Sequence, residues 1–235
     1  MILTNYIVRY TITSERGGVM KKSVYSLVLM DDIVAAIDEL AYSLQTSRSN
    51  LINQILAEKV ALVTPEQRLQ TIFTHLSDYL RPYQHFQIQN QAADHMYSIK
   101  SALRYKYNPT IRYSLYLNQQ GEGVKGELRV ISRTQSEVLH QYLEQFFKTW
   151  ATIEKRVGTT YWEREEGAKW LRVLNLNNFQ NTTAYEALAE ALSEYISVLD
   201  EGLKLYFGQL DTQEDQTLTL IKHYERYLKN NKVTI

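Results

Sequence analysis

The chain has no cysteine among its 235 residues. That excludes disulfides, thiolate metal sites and cysteine nucleophiles and is compatible with a reducing compartment. It has no excess charge of either sign: 26 Lys and Arg balance 26 Asp and Glu, so no global field draws it to nucleic acid or to an anionic membrane. No apolar run approaches the roughly 20 residues of a membrane span. The N-terminus lacks the charged-then-apolar start and small-residue cleavage site of a secretory signal. A cytoplasmic protein without a membrane partner is expected. The nine glycines are scattered, and GxGxxG, GxxxxGK and GxSxG are all missing. His75, His85, His95, His140 and His223 show neither HExxH nor paired ligand spacing. Glu163, Glu165 and Glu166, the only acid cluster, sit with Arg164 and Lys169 in an expected turn and read as a solvated hairpin. No catalytic residue, metal site or cofactor is expected, and the chain is not read as an enzyme.

What is present begins at Lys21. In KKSVYSLVL, Tyr25, Leu27 and Leu29 alternate with Val24, Ser26 and Val28, the period of a half-buried strand. The next segment places Ile33, Ala36, Ile37, Leu40, Ala41 and Leu44 at helical spacing, with Asp31 and Asp32 in the first turn, where the helix dipole favours acids. A second helix restarts at a Ser47 cap, with Leu51, Ile52, Ile55, Leu56 and Val60 on one face. A lone strand cannot pair with itself, and two short helices cannot bury both stripes. The unit therefore calls for a second copy, most simply a two-fold dimer with antiparallel strands.

YSLVLMDDIVAAIDELAYSL followed by TSRSNLINQIL resembles the ribbon-helix-helix family of bacterial and phage DNA-binding proteins. The resemblance covers about forty residues, 21–60. It implies an obligate homodimer, with a higher oligomer left open, whose paired strands enter the major groove of double-stranded DNA. Carried over by position, the base-reading face is Val24, Ser26 and Val28, flanked by Lys21 and Lys22, and the phosphate clamp is Ser47, Arg48 and Ser49. The expected function is a DNA-binding transcriptional regulator, a repressor that occludes a promoter.

The match has a departure. Direct readout uses Arg, Lys, Asn or Gln on base edges, whereas this face offers Val, Ser and Val. Residues 20–62 hold Lys21, Lys22, Arg48 and Lys59 against Asp31, Asp32, Asp38, Glu39 and Glu58, so a module that needs phosphate neutralisation is near neutral. The alternative is an oligomeric ligand-, RNA- or protein-binding protein that uses the ribbon-helix-helix only to dimerise.

The nineteen residues before Met20 end in Glu15-Arg16-Gly17-Gly18, which can be the translation of a purine-rich ribosome-binding site. Met20 is the expected start, with residues 1–19 an extension read from upstream sequence; a genuine strand at 6–12 is the competing reading. The expected domains are thus 20–62, ribbon-helix-helix, and 65–235, an α+β domain of unknown type. No effector or protein partner is indicated for the latter.

Thr64-Pro65-Glu66 starts a helix over 65–80. From residue 96 the period changes to two. Tyr97, Ile99, Leu103, Tyr105 and Tyr107 alternate with polar residues, as do Ile111, Tyr113, Leu115 and Leu117, and then Leu128 and Val130 after a Gln119-Gln120-Gly121-Glu122-Gly123 turn. Three antiparallel strands are expected. They place Lys100, Arg104, Lys106, Arg112, Arg129 and Arg133 on one face, a candidate anion- or nucleic-acid-binding surface against the plainer reading of a solvated sheet. A bulky helix over 136–156, a hairpin around Glu166-Gly167, a long helix over 183–207 and a last helix over 212–230 complete the expectation. The stripe Tyr185, Leu188, Leu192, Ile196, Leu199, Leu203 and Tyr206 on the long helix fits either a coiled-coil seam or the domain's own core. Overall this is an α+β chain, with an N-terminal strand-helix-helix followed by an antiparallel sheet plus helices.

Overall fold

A computed structural model describes residues 26–89, 95–120, 123–158, 161–166, 168–179, 185–212, 215–230 and 235. The Met20 start, the 1–19 extension, the strand as far as Tyr25, and Lys21, Lys22 and Val24 all lie outside the described residues. The chain is α+β and divides into two compact units, 1–68 and 69–235.

In the first unit, helix α1 spans Asp31–Ser43 and α2 spans Arg48–Lys59. The Ser47 hydroxyl caps α2 by accepting from Asn50 N–H at 3.2 Å. Both helices end in the same way. Gln45 (φ 53°) and Ala61 (φ 55°) take the left-handed conformation, and Thr46 N–H returns to the Ala41 carbonyl at 3.0 Å as Leu62 N–H does to Ala57 at 2.8 Å. The third helix, α3 (Pro65–Leu80), opens on a reciprocal capping box. Thr64 Oγ1 accepts from Gln67 N–H at 3.1 Å, and Gln67 Oε1 accepts from Thr64 N–H at 2.9 Å.

The second unit holds a six-stranded antiparallel sheet, β1 (Phe86–Ile88), β2 (Met96–Ala102), β3 (Thr110–Gln120), β4 (Gly123–Ser132), β5 (Trp162–Glu165) and β6 (Lys169–Leu174), ordered β1-β2-β3-β4-β6-β5. Alternation sends Tyr97, Ile99, Ile111, Tyr113, Leu115, Leu128, Val130, Trp170 and Leu174 into the core. The helices cover that face. Phe73 of α3 stacks on Tyr97, and Phe147 of α4 (Glu137–Lys155) stacks on Trp170 with ring centroids 4.4 Å apart. Asp200 of α5 (Tyr185–Gly208) accepts from the Tyr113 hydroxyl at 2.9 Å. The last helix, α6 (Gln216–Asn230), packs on α4 through Tyr224 against Trp150 and on α5 through His223 against the Val198 carbonyl.

Two sequence expectations need correction. The strand from residue 96 does not run on to Tyr105 and Tyr107; β2 stops at Ala102. The backbone then turns through left-handed Tyr107 (φ 65°) and Asn108 (φ 43°) before Pro109, and Leu103 N–H bonds back to the Pro109 carbonyl. Strand β1 was not expected, because it is three residues long and buries only Phe86. The stripe on α5 falls in the core of the second unit, where Leu188, Leu192, Ile196, Leu199 and Leu203 are each no more than 1% exposed.

Gly202 shows how closely α5 approaches α4. A Cβ there would lie 2.5 Å from the Trp150 ring, which is fully buried. Gly202→Ala gains about 1 kcal/mol of helix propensity, but overpacking against a fixed indole costs about 1–3 kcal/mol. A melting temperature lowered by a few degrees is expected. A raised one would show that the indole can move aside.

Candidate nucleic-acid interface

The ribbon residues within the described range are Ser26 and Val28. Residues 26–30 have no strand partner among the described residues, and Val28 is 76% exposed. At the other end of the module, Ser47, Arg48 and Ser49 come together at the start of α2. A helix start leaves its first N–H groups without helical acceptors and is attractive to a phosphate. The arrangement has a competitor that spacing did not reveal, since Arg48 Nε is ion-paired to Asp38 of α1. A phosphate must take the guanidinium from that carboxylate or bind beside it.

The hydrophobic side of the same module is unfinished. Among residues 26–62 only Ala41 and Leu51 are buried, whereas Leu27, Ile33, Leu40, Leu44, Leu56, Val60 and Leu62 are between 39% and 65% exposed. Six of those seven belong to the stripes or strand face described above; Leu62 follows α2.

Of the six basic residues expected on one sheet face, the strands bring three together. Lys100 lies directly opposite Arg112 in the β2–β3 register, and Arg129 opposes Ser114 on the same side. Arg104 and Lys106 fall in the β2–β3 turn and Arg133 just past β4, so these three collect at one end of the sheet. Arg129 is already engaged, at 3.3 Å from Glu127 and 4.9 Å over the Tyr116 ring.

Sequence reading missed two buried polar clusters. Glu154 of α4, fully buried, accepts from Trp162 Nε1 at 2.8 Å, Trp150 Nε1 at 3.0 Å, Tyr195 Oη at 2.6 Å and Arg172 Nε at 3.1 Å. Arg172, 1% exposed, also donates to the Ile235 main-chain oxygen at 2.6 Å and lies over the Tyr195 ring. Burial pushes the Tyr195 hydroxyl well above its ordinary range and Tyr224 beside it up to about 12. In the second cluster, Asp200 receives the Tyr113 hydroxyl, Lys204 at 2.6 Å and His85 at 3.1 Å. Burial, then the Asp200 charge, push Tyr113 upward. Each carboxylate gathers donors from more than one element, and the clusters hold helices to the sheet.

Comparison of the chain with protein-family models, with curated proteins and with solved structures finds no match. Among the described residues no helix is long and apolar enough to cross a membrane.

Proposed function

We propose that the chain is a DNA-binding transcriptional regulator, a repressor that acts as a ribbon-helix-helix homodimer. The observation that carries this reading is the open apolar face of α1 and α2, together with residues 26–30, which have no strand partner among the described residues. A second copy supplies both what the strand lacks and what the stripes lack, and the two cores become one. Such a dimer presents Ser26, Val28 and Val24 to the major groove, with Lys21 and Lys22 at its edge. Ser47, Arg48 and Ser49 then face the flanking phosphates. The Arg48–Asp38 pair and the uncharged reading face favour the alternative, in which the module serves assembly alone and another surface binds the ligand.

A salt titration separates the two. Replacing Lys21, Lys22 and Arg48 by alanine removes three cations per chain. Binding to cognate and scrambled duplexes should weaken together, and the slope of log affinity against log salt should become shallower by up to about 0.9 per lost contact. Ser26→Ala should instead shift preference between operators by roughly 1 kcal/mol, at the low end of the ~1–3 kcal/mol of bidentate contacts. An unchanged slope in the triple variant would mean that the arms do not touch the backbone.

A further inference from the structure

We infer that the β2–β3 hairpin is a separate contact surface for the phosphate backbone of duplex DNA, used in addition to any ribbon contact. The inference stands on different residues from the ribbon and does not rest on that reading.

Residues 95–120 contain Lys100, Arg104, Lys106 and Arg112 and not one acid. None of these four has an ion-pair partner among the described residues, in contrast to Arg129, Arg164 and Arg172, each of which has one. The register makes the isolation costly, because Lys100 and Arg112 sit directly opposite each other on adjacent strands, where like charges repel. A sheet that needed only a solvated face would be more stable with a neutral or acidic residue at either position. Repulsion of this kind is relieved by an anion shared between the two cations.

Arg104 and Lys106 are exposed, and Lys100 and Arg112 are half-buried. The helices α3, α4 and α5 pack on the opposite side, through Tyr97, Trp170 and Tyr113. Between the cations and Arg129 lies a row of small side chains, Ser98 and Ser114, whose hydroxyls are 3.5 Å apart. Both serines are themselves buried, so a backbone meets the lysine and arginines that flank them rather than the hydroxyls. At the end of the hairpin, Arg104 and Lys106 flank a turn whose Tyr107 is wholly exposed, an O–H donor of a kind that contacts phosphate oxygens.

The partner is a duplex rather than a single strand. Binding of single strands relies on successive aromatic platforms for unstacked bases. Here Tyr116 lies beneath the Arg129 guanidinium, leaving Tyr107 as the one fully exposed ring of the hairpin. What remains is cationic and positional, and a duplex backbone asks for nothing more.

The test uses the full chain and a random-sequence duplex. The quadruple variant K100Q/R104Q/K106Q/R112Q should bind at least about tenfold more weakly at ~0.1 M salt, with a slope shallower by up to about 3.6 per seated chain at 0.9 per contact. Its melting temperature should hold or rise, since the Lys100–Arg112 repulsion is removed. The double variant R104Q/K106Q, confined to the exposed turn, should show about half the change in slope and guards against a folding artefact. Equal affinity and slope in both variants would overturn the inference, as would a wild-type chain that fails to bind the random duplex at low salt. Tighter binding of a single strand of equal length, lost in the quadruple variant, would overturn the assignment to duplex. The Lys21, Lys22 and Arg48 variant keeps the hairpin contribution, so loss in one variant and not the other shows which surface has failed.

Discussion

Replacing Glu154 by alanine is expected to destabilise the second unit by about 3–5 kcal/mol, the range for breaking a buried ion pair by removing one partner. The variant leaves the Arg172 guanidinium, 1% exposed, without its carboxylate. It also strips Trp150 Nε1, Trp162 Nε1 and the Tyr195 hydroxyl of the acceptor they share, and each orphaned donor that stays buried adds to the cost. A domain stability of about 5–15 kcal/mol loses a large part of itself. The melting temperature should fall by roughly 6–20 °C, at ~2–4 °C per kcal/mol for a unit of this size. Glu154→Gln keeps the shape, removes the charge and turns an N–H₂ toward donors, so it should also destabilise. If either variant melts within a degree or two of wild type, the cluster does not hold α4 to β6.

The second large effect concerns association. Ile37 is half-buried on the open face of α1, and in the proposed dimer it meets the second copy. Ile37→Asp places a carboxylate where an isolated charge costs several kcal/mol or must take up a proton. Sedimentation should show a monomer at concentrations where wild type is a dimer, while the melting of residues 69–235 is unaffected. A variant that stays dimeric would contradict an interlocked α1–α2 core. The stripe on α5 offers no easy substitute interface, because it is already buried in the second unit.

Much of the secondary structure was readable because its signals are local. Ser47 and Thr64-Pro65 mark two helix starts, and each hydroxyl makes its capping bond. The alternation from Ile111 to Leu117 placed β3 correctly, since every second residue had somewhere apolar to go. Alternation failed at Tyr105 and Tyr107, where the pattern continues but the backbone reverses before Pro109. It failed at β1 because three residues are too few to show a period. The Glu154 cluster was invisible for a different reason: its members come from α4, β5, β6 and α5, and only tertiary packing assembles them. One trace of it was present. Trp170 and Leu174 point inward, and a period of two forces Arg172 between them to do the same. The Arg48–Asp38 pair was hidden likewise, since it depends on the angle between α1 and α2.

Binding of the full chain to the duplex upstream of its own coding sequence, against a scrambled duplex of the same composition, is the direct measurement of regulator function. At ~0.15 M salt, a preference of at least about tenfold for the upstream DNA (about 1.4 kcal/mol) is expected. Two chains should bind per half-site pair, and the preference should vanish in Ile37→Asp. Equal affinity for both duplexes, or a preference that survives in a monomeric Ile37→Asp variant, would contradict a ribbon-helix-helix repressor.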